Sequence, residues 1–282
     1  MRTGFDVSSL DEPEVLKYLF HPRKDRVQAA PQDGVDFFIP VEKGVQLGAR
    51  FYPADPEGPH ILFFHGNGEI ASDYDTIGPT YNNYGISFLV VDYRGYGQST
   101  GLPTASNLLS DSRTAFREVR GWLEGQGRTG LIIIMGRSLG SAPVLEIACC
   151  FQDEIAGLIL DSAFARTIPL LKRLGVATNT LGISEMDGFR NFGKIRDIGK
   201  PTLIIHGEKD EIIPPEDADI LLANSGSMEK QLLLAPGCGH NDILLRCGEA
   251  YFQTINRFVQ MLKRLKKQTA RGRGFDRRYP RR

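Results

Sequence analysis

The chain has 282 residues, 41% hydrophobic and 24% charged, with 34 basic side chains balanced by 34 acidic ones. That length supports one large α/β domain with a substantial core, while no segment approaches the roughly 18–20 uninterrupted apolar residues of a membrane span and Met1 to Glu14 lacks the basic start and apolar run of a secretory signal. The four cysteines, Cys149, Cys150, Cys238 and Cys247, show no paired zinc spacing, so reduced thiols in a cytoplasmic protein are expected.

In chain order, Val35 to Pro40 and Val45 to Tyr52, separated by Glu42-Lys43-Gly44, read as an antiparallel hairpin. Strand-like and helix-like segments then alternate. His60 to Phe64 reads as a strand, Ala71 to Tyr84 as a helix and Ile86 to Asp92 as a strand. Thr104 to Glu124 is an amphipathic helix, with Leu108, Leu109, Ala115, Val119 and Leu123 near helical spacing. The aliphatic run Leu131 to Met135 predicts a buried strand, Ser141 to Cys150 a helix, and Ile155 to Leu160 another strand. Between about Ala163 and Lys200 the rhythm breaks, which predicts a short lid above the carboxyl ends of the strands. A lid this short predicts an accessible cleft suited to a bulky or surface-presented substrate. Thr202 to Ile205, Glu216 to Ala223 and Lys230 to Leu234 continue as strand, helix and strand, and Asp242 to Lys266 closes as one long helix. The expected architecture is a single α/β domain over residues 1–266. It has eight strands, the first pair antiparallel and the rest mainly parallel, with helices on both faces.

Charge is unevenly spread. From Lys263 to the end there are ten Lys or Arg and one acid, Asp276, leaving 24 basic and 33 acidic residues in the body. Residues 267–282 lack apolar periodicity and are expected to be disordered. Such an arm suits weak contact with an anionic surface, membrane or nucleic acid; equally it suits a solubilising tail with no catalytic consequence.

Gly136-Arg137-Ser138-Leu139-Gly140, between strand and helix, has the pattern of a nucleophile elbow, in which the serine occupies a sharp, strained turn. A serine hydroxyl needs a base within hydrogen-bond reach, and the base needs a third group to orient it. His240, on the glycine-rich loop after the last strand, has the position of the base; Asp210, in the loop after the preceding strand, that of the acid. Asp161, at the end of the strand before the lid, is an alternative acid. The order Ser138, Asp210, His240 matches the Ser…Asp…His order of α/β-hydrolases. The oxyanion would meet the backbone N–H of Leu139 and a second from His65-Gly66-Asn67-Gly68, with Asn67 preferred and Gly68 the fallback. Arg137 is expected to pair with a lid or loop carboxylate, Arg94 with Asp92 or a nearby acid, and Asp242 to serve the N-terminus of the closing helix. His65 and His206 read as turn-shaping residues, His21 and His60 as surface or loop residues.

Together, His65-Gly66-Asn67, Asp92-Tyr93-Arg94-Gly95-Tyr96-Gly97-Gln98-Ser99, Gly136-Arg137-Ser138-Leu139-Gly140 and Gly239-His240-Asn241-Asp242 resemble the α/β-hydrolase superfamily. More narrowly, they resemble its minimal-lid branch, which includes the eukaryotic α/β-hydrolase depalmitoylases and uncharacterised bacterial serine hydrolases. The likeness runs to about Leu265. It implies hydrolysis of a small or acyl ester or thioester by Ser138, His240 and Asp210, without metal or organic cofactor. The N-terminal cysteine cluster of the membrane-bound depalmitoylases has no counterpart in Met1 to Pro31, which favours a soluble role. Two other readings are an aminopeptidase-like serine peptidase, which would need lid carboxylates for a free amine, and a non-catalytic binding protein on the same fold. Glu185 and Asp187 are the only acids between Arg166 and Lys194, and they make a poor amine site.

Overall fold

Successive side chains of a strand point to opposite faces, so a sheet hydrophobic on both faces must be covered on both. The computed structural model, which describes residues 6–26 and 30–276, has this arrangement. Helix α1 (Pro13–Leu19) is followed by β1 (Val35–Glu42), β2 (Val45–Tyr52), β3 (His60–Phe64), α2 (Gly78–Asn82) and β4 (Ser87–Val91). Next come α3 (Ala105–Gly125), β5 (Ile132–Arg137), α4 (Ser141–Phe151), β6 (Gly157–Asp161), α5 (Thr167–Arg173) and α6 (Asn191–Lys194). The chain continues through β7 (Thr202–Gly207), α7 (Glu216–Asn224), β8 (Lys230–Ala235), α8 (Ile243–Cys247) and α9 (Glu249–Asp276). The eight strands form one sheet in the order β1-β2-β4-β3-β5-β6-β7-β8, antiparallel at β1–β2 and β2–β4 and parallel elsewhere.

The two-residue repeat divides the core. Leu62, Phe64, Ile134, Leu158 and Leu160 pack with Phe116 and Val119 of α3 and Val144 and Ile147 of α4. Their neighbours Ile61, Phe63, Ile133, Met135 and Ile159 pack with Tyr81 of α2 and Ile255, Phe258 and Leu262 of α9. The parallel strands β3, β5, β6 and β7 therefore all deliver their carboxyl ends to one edge, where the loops carry the chemistry-bearing residues.

Two expected helices are broken. In place of one helix from Ala71 to Tyr84, a 3₁₀ turn (Ala71–Tyr74) precedes the short α2. Pro79 has no N–H for an intrahelical bond, and Gly78 lies so close to Tyr52 that a Cβ would sit 2.3 Å from its ring. The closing helix also divides, because Gly248 adopts φ 49 and ψ −124, a backbone conformation open to glycine that ends the first part. Its longer part then runs past Lys266 to Asp276, so residues 267–276 continue a helix instead of forming an irregular tail. Once the docked turns have nucleated it, each further residue adds a backbone hydrogen bond. The rest of the basic arm, 277–282, lies outside the described residues.

His60 is not a surface residue. It opens the central strand β3 and is buried, and burial, with the nearby Arg128 charge acting in the same direction, pushes its pKa down to about 4.

The segment between β6 and β7 carries α5, a 3₁₀ turn (Glu185–Asp187) and α6. Its parts are tied to one another, and α6 is tied to the body. The Glu185 carboxylate accepts the N–H groups of Thr167 (2.7 Å) and Ile168 (2.8 Å), and Asn191 Nδ2 donates to the Phe164 carbonyl at 3.0 Å. Beneath it, Lys194 Nζ lies 2.7 Å from Glu146 Oε2 of α4, a buried ion pair.

Candidate active site

β5 ends at Arg137, and Ser138 turns the chain into α4 with φ 51, a left-handed conformation rare for a residue with a Cβ. Such strain costs roughly 1–3 kcal/mol and persists only when the surroundings enforce it. They do. A Cβ on Gly136 would meet the Gly140 carbonyl oxygen at 2.2 Å, and one on Gly140 would meet the Phe64 carbonyl oxygen at 2.0 Å. Neither glycine of the elbow tolerates a side chain while strand and helix keep this spacing. The neighbouring Ser141 hydroxyl donates to the Ser138 carbonyl at 2.7 Å and so caps the turn.

On the base side, His240 Nε2 lies 3.0 Å from Ser138 Oγ, and its Nδ1 lies 2.7 Å from Asp210 Oδ2. A carboxylate can only accept, so Nδ1 carries the proton and Nε2 is left to accept from the serine hydroxyl. Asp210 is itself fixed: its Oδ1 accepts the N–H groups of Ile212 (3.0 Å) and Ile213 (2.8 Å). Asp161 does not reach the histidine. Its oxygens accept from Ser162 Oγ (3.0 Å) and Tyr251 Oη (2.7 Å), which ties β6 to α9.

Asp242 sits at the N-cap of α8, yet its side chain makes no cap there. Instead Oδ1 accepts the Gly239 N–H at 2.7 Å, bracing the histidine loop, and the second oxygen pairs with Arg246. His65 Nδ1 donates to the Gly66 carbonyl (2.8 Å) and His206 Nε2 to that of Ile213 (2.9 Å), so both shape turns. Arg94 takes Asp111 of α3 as its partner, through two bonds of 2.6 and 2.9 Å, with Glu42 at 2.9 Å. Asp92 is occupied elsewhere, accepting the Ala71 N–H at 2.8 Å.

On the oxyanion side, the N–H of Leu139 lies in the first turn after the serine, where no intrahelical acceptor is available. Among the described residues the N–H of Asn67 donates to nothing, while its side-chain Oδ1 accepts from His21 N–H and Tyr96 Oη–H. The two sides are joined by Arg137. Its guanidinium donates to the His240 carbonyl (2.7 Å) and Asn241 Oδ1 (2.9 Å) and pairs with Glu69, which in turn accepts the Gly66 N–H (2.7 Å) and Tyr74 Oη–H (2.7 Å). Burial alone would raise the Glu69 pKa, but the Arg137 charge overrides it and holds the carboxyl below its ordinary value. Burial and the Glu69 charge push Tyr74 well above 10.0, so it remains a phenol donor.

Arg137 was visible in the sequence as a cation beside the serine; Glu69 was missed. The available signal was its spacing, an acid three residues after Gly66 and able to reach back to that amide, as in a capping box. A cleft of about 300 Å³ adjoins His240, lined also by Arg137, Tyr74, Asn241, Ile243 and Leu244. A larger groove, about 910 Å³, lies where β5 and β6 begin, at the opposite edge from Ser138.

Comparison with known proteins shows the family and the fold. The family model described as serine aminopeptidase, S33, matches residues 56–183. Human α/β-hydrolase domain-containing protein 17B is 32% identical over 242 residues, covering 82% of this chain and 76% of the human protein. The chain belongs to the α/β-hydrolase superfamily. Another relative of this α/β-hydrolase, protein bem46 of Schizosaccharomyces pombe, is 33% identical over 208 residues, covering 71% of this chain and 67% of bem46. Among solved structures, the Pyrococcus furiosus esterase Pf2001 superposes with a TM-score of 0.69 at 17% identity, over 85% of this chain and 98% of the esterase. A soluble variant of Saccharomyces cerevisiae monoglyceride lipase gives 0.61 at 16% identity, over 86% and 98%. Both share the fold. Among the described residues no helix is long and apolar enough to cross a membrane.

Proposed function

We infer that this α/β-hydrolase is a serine hydrolase that cleaves a carboxylic ester or thioester through an acyl-enzyme. The observation that carries the reading is the unbroken chain from Ser138 Oγ to His240 (3.0 Å) to Asp210 (2.7 Å), built on a strained elbow. Ser138 Oγ attacks the acyl carbon as its proton passes to His240 Nε2, and Asp210 stabilises the imidazolium. The carbonyl oxygen becomes an oxyanion received by the N–H groups of Leu139 and Asn67, donors worth about 3–4 kcal/mol each where one has been removed from other enzymes. Collapse breaks the acyl C–O or C–S bond, and the leaving group takes the proton from His240. Water, deprotonated by the same histidine, then releases the acid and restores the serine.

The esterase and lipase described for the structural neighbours favour esters over amides. The peptidase reading has one observation in its favour, the description of the matching family model. Against it, Glu185 is bound to the Thr167 and Ile168 amides and Asp187 to Ser184, which leaves neither to hold a substrate amine. The test is labelling by a fluorophosphonate with Ser138→Ala as control, followed by turnover of acyl esters, thioesters and aminoacyl amides. Labelling lost in Ser138→Ala, with ester or thioester turnover, is expected. Turnover of amides alone would move the assignment to the peptidase, and a folded protein that does not label would leave a binding protein.

A further inference from the structure

The second oxyanion donor is held by residues remote in sequence. Asn67 Oδ1 accepts the His21 N–H at 2.8 Å and the Tyr96 hydroxyl at 2.6 Å, and the same His21 N–H lies 2.8 Å from Tyr96 Oη. These three groups close a ring, with the Tyr96 side chain wholly buried. The segment around His21 cannot drift from it. Gly97 N–H donates to the Arg23 carbonyl at 2.8 Å, Arg23 Nε donates to the Gly68 carbonyl at 3.1 Å, and Lys24 Nζ donates to the Ser99 carbonyl at 2.6 Å. Upstream, Leu10, Val15, Leu19 and Phe20 are buried in the core. The segment from α1 to Lys24 is thus a strap that joins the loop after β3 to the loop after β4.

We propose that Tyr96 and the His21 backbone are positioning groups for catalysis, which hold the Asn67 side chain so that its own backbone N–H stays turned toward the oxyanion. This rests on the serine hydrolase reading above. An amide side chain that accepts two hydrogen bonds is fixed in rotamer, and its backbone is fixed with it. Freed from them, the loop is bounded by glycines, Gly66 and the positive-φ Gly68, and its peptide planes can turn. Displacement of a donor by about 1 Å is enough to cost on the order of 100-fold in rate. The strap thereby makes the N-terminal segment part of the catalytic apparatus through a backbone N–H, that of His21.

Tyr96→Phe keeps the ring and deletes the hydroxyl. Its kcat should fall about 10- to 100-fold with KM within about two-fold, and the inhibition constant of a trifluoromethyl ketone, which forms the oxyanion adduct, should rise by the same factor. Asn67→Ala, which retains the backbone N–H, should show the same pattern if it folds, and the double variant should be no worse than Asn67→Ala alone. A Tyr96→Phe enzyme with unchanged kcat and ketone affinity would overturn the proposal. So would a full additive loss in the double variant, or a loss confined to thermal stability. If the wild-type protein does not label with fluorophosphonate, the hydrolase reading fails first; if it labels and turns over normally while Tyr96→Phe matches it, only the strap's role fails.

Discussion

The two sides of the cleft are built in different ways. On the base side the two turns are braced from within, Asp210 by Ile212 and Ile213 and Asp242 by Gly239, while Arg137 reaches the His240 carbonyl from β5. On the oxyanion side the bracing is remote, with His21 and Tyr96 both reaching Asn67. Local turns form from their own residues, whereas remote contacts exist only once the sheet and the strap have assembled. The acid and histidine turns can therefore form from their own residues, whereas their meeting and the His21–Tyr96–Asn67 ring both depend on the completed fold. Arg137 and Glu69 link the two, since one guanidinium touches the histidine loop and its carboxylate partner holds the Gly66 amide.

The largest effect tests the base side. Asp210→Asn should lower kcat by about 10⁴, because an amide in that place favours the wrong imidazole tautomer. Asp161→Asn, at the end of the adjacent strand, should leave kcat within about three-fold and instead lower stability by about 1–3 kcal/mol through the weakened Tyr251 contact. Measured kcat and denaturant midpoints for the two variants decide this, and equal losses of turnover would break the distinction drawn between the two acids.

The link should give an intermediate effect. Arg137→Met leaves Glu69 without its cation and the His240 carbonyl without a donor, and kcat should fall about 10- to 100-fold. Loss of fluorophosphonate labelling rate and of trifluoromethyl ketone affinity together would show that both sides loosen. A change in only one would mean that the guanidinium serves that side alone.

The smallest effect lies away from the cleft and serves as a control. The native His60 ring resists protonation until about pH 4, whereas the unfolded chain takes the proton near 6.5. The unfolded state therefore binds more protons between these values, and stability should decline as pH falls from 6.5 towards 4. His60→Leu should flatten that part of the profile, read as melting temperature against pH, with kcat at neutral pH nearly unchanged. A slope identical to the wild type would remove His60 as its source.

Several features were legible before any coordinates. Alternating apolar strands and helices signal a parallel sheet covered on both faces, and the glycines at 136 and 140 flag the sharp turn at Ser138. His240 and Asp210 stood out because loops after the last two strands must converge on the elbow at the carboxyl edge. What escaped notice has two causes, one local and one tertiary. Pro79 and Gly248 were local breakers overlooked inside long helical patterns, although both carried a readable signal. His60 was misplaced because burial of a strand's first residue depends on what covers its face. The pairing of Arg94 was expected with Asp92 or a nearby acid, and which acid it takes, Asp111, is fixed by a helix that packs alongside only in the fold.

The sequence by itself determined the order of elements, the strained serine turn and which imidazole and carboxylate types stand at loop positions along the sheet edge. These follow from local sterics and from hydrophobic periodicity, both of which act over a few residues. Only the tertiary structure decided that Asp210 and not Asp161 meets His240, that Glu69 closes the link through Arg137, and that a backbone N–H near the N-terminus holds Asn67. Those pairings depend on packing between segments 30 to more than 100 positions apart, and no periodicity in the chain encodes such distances.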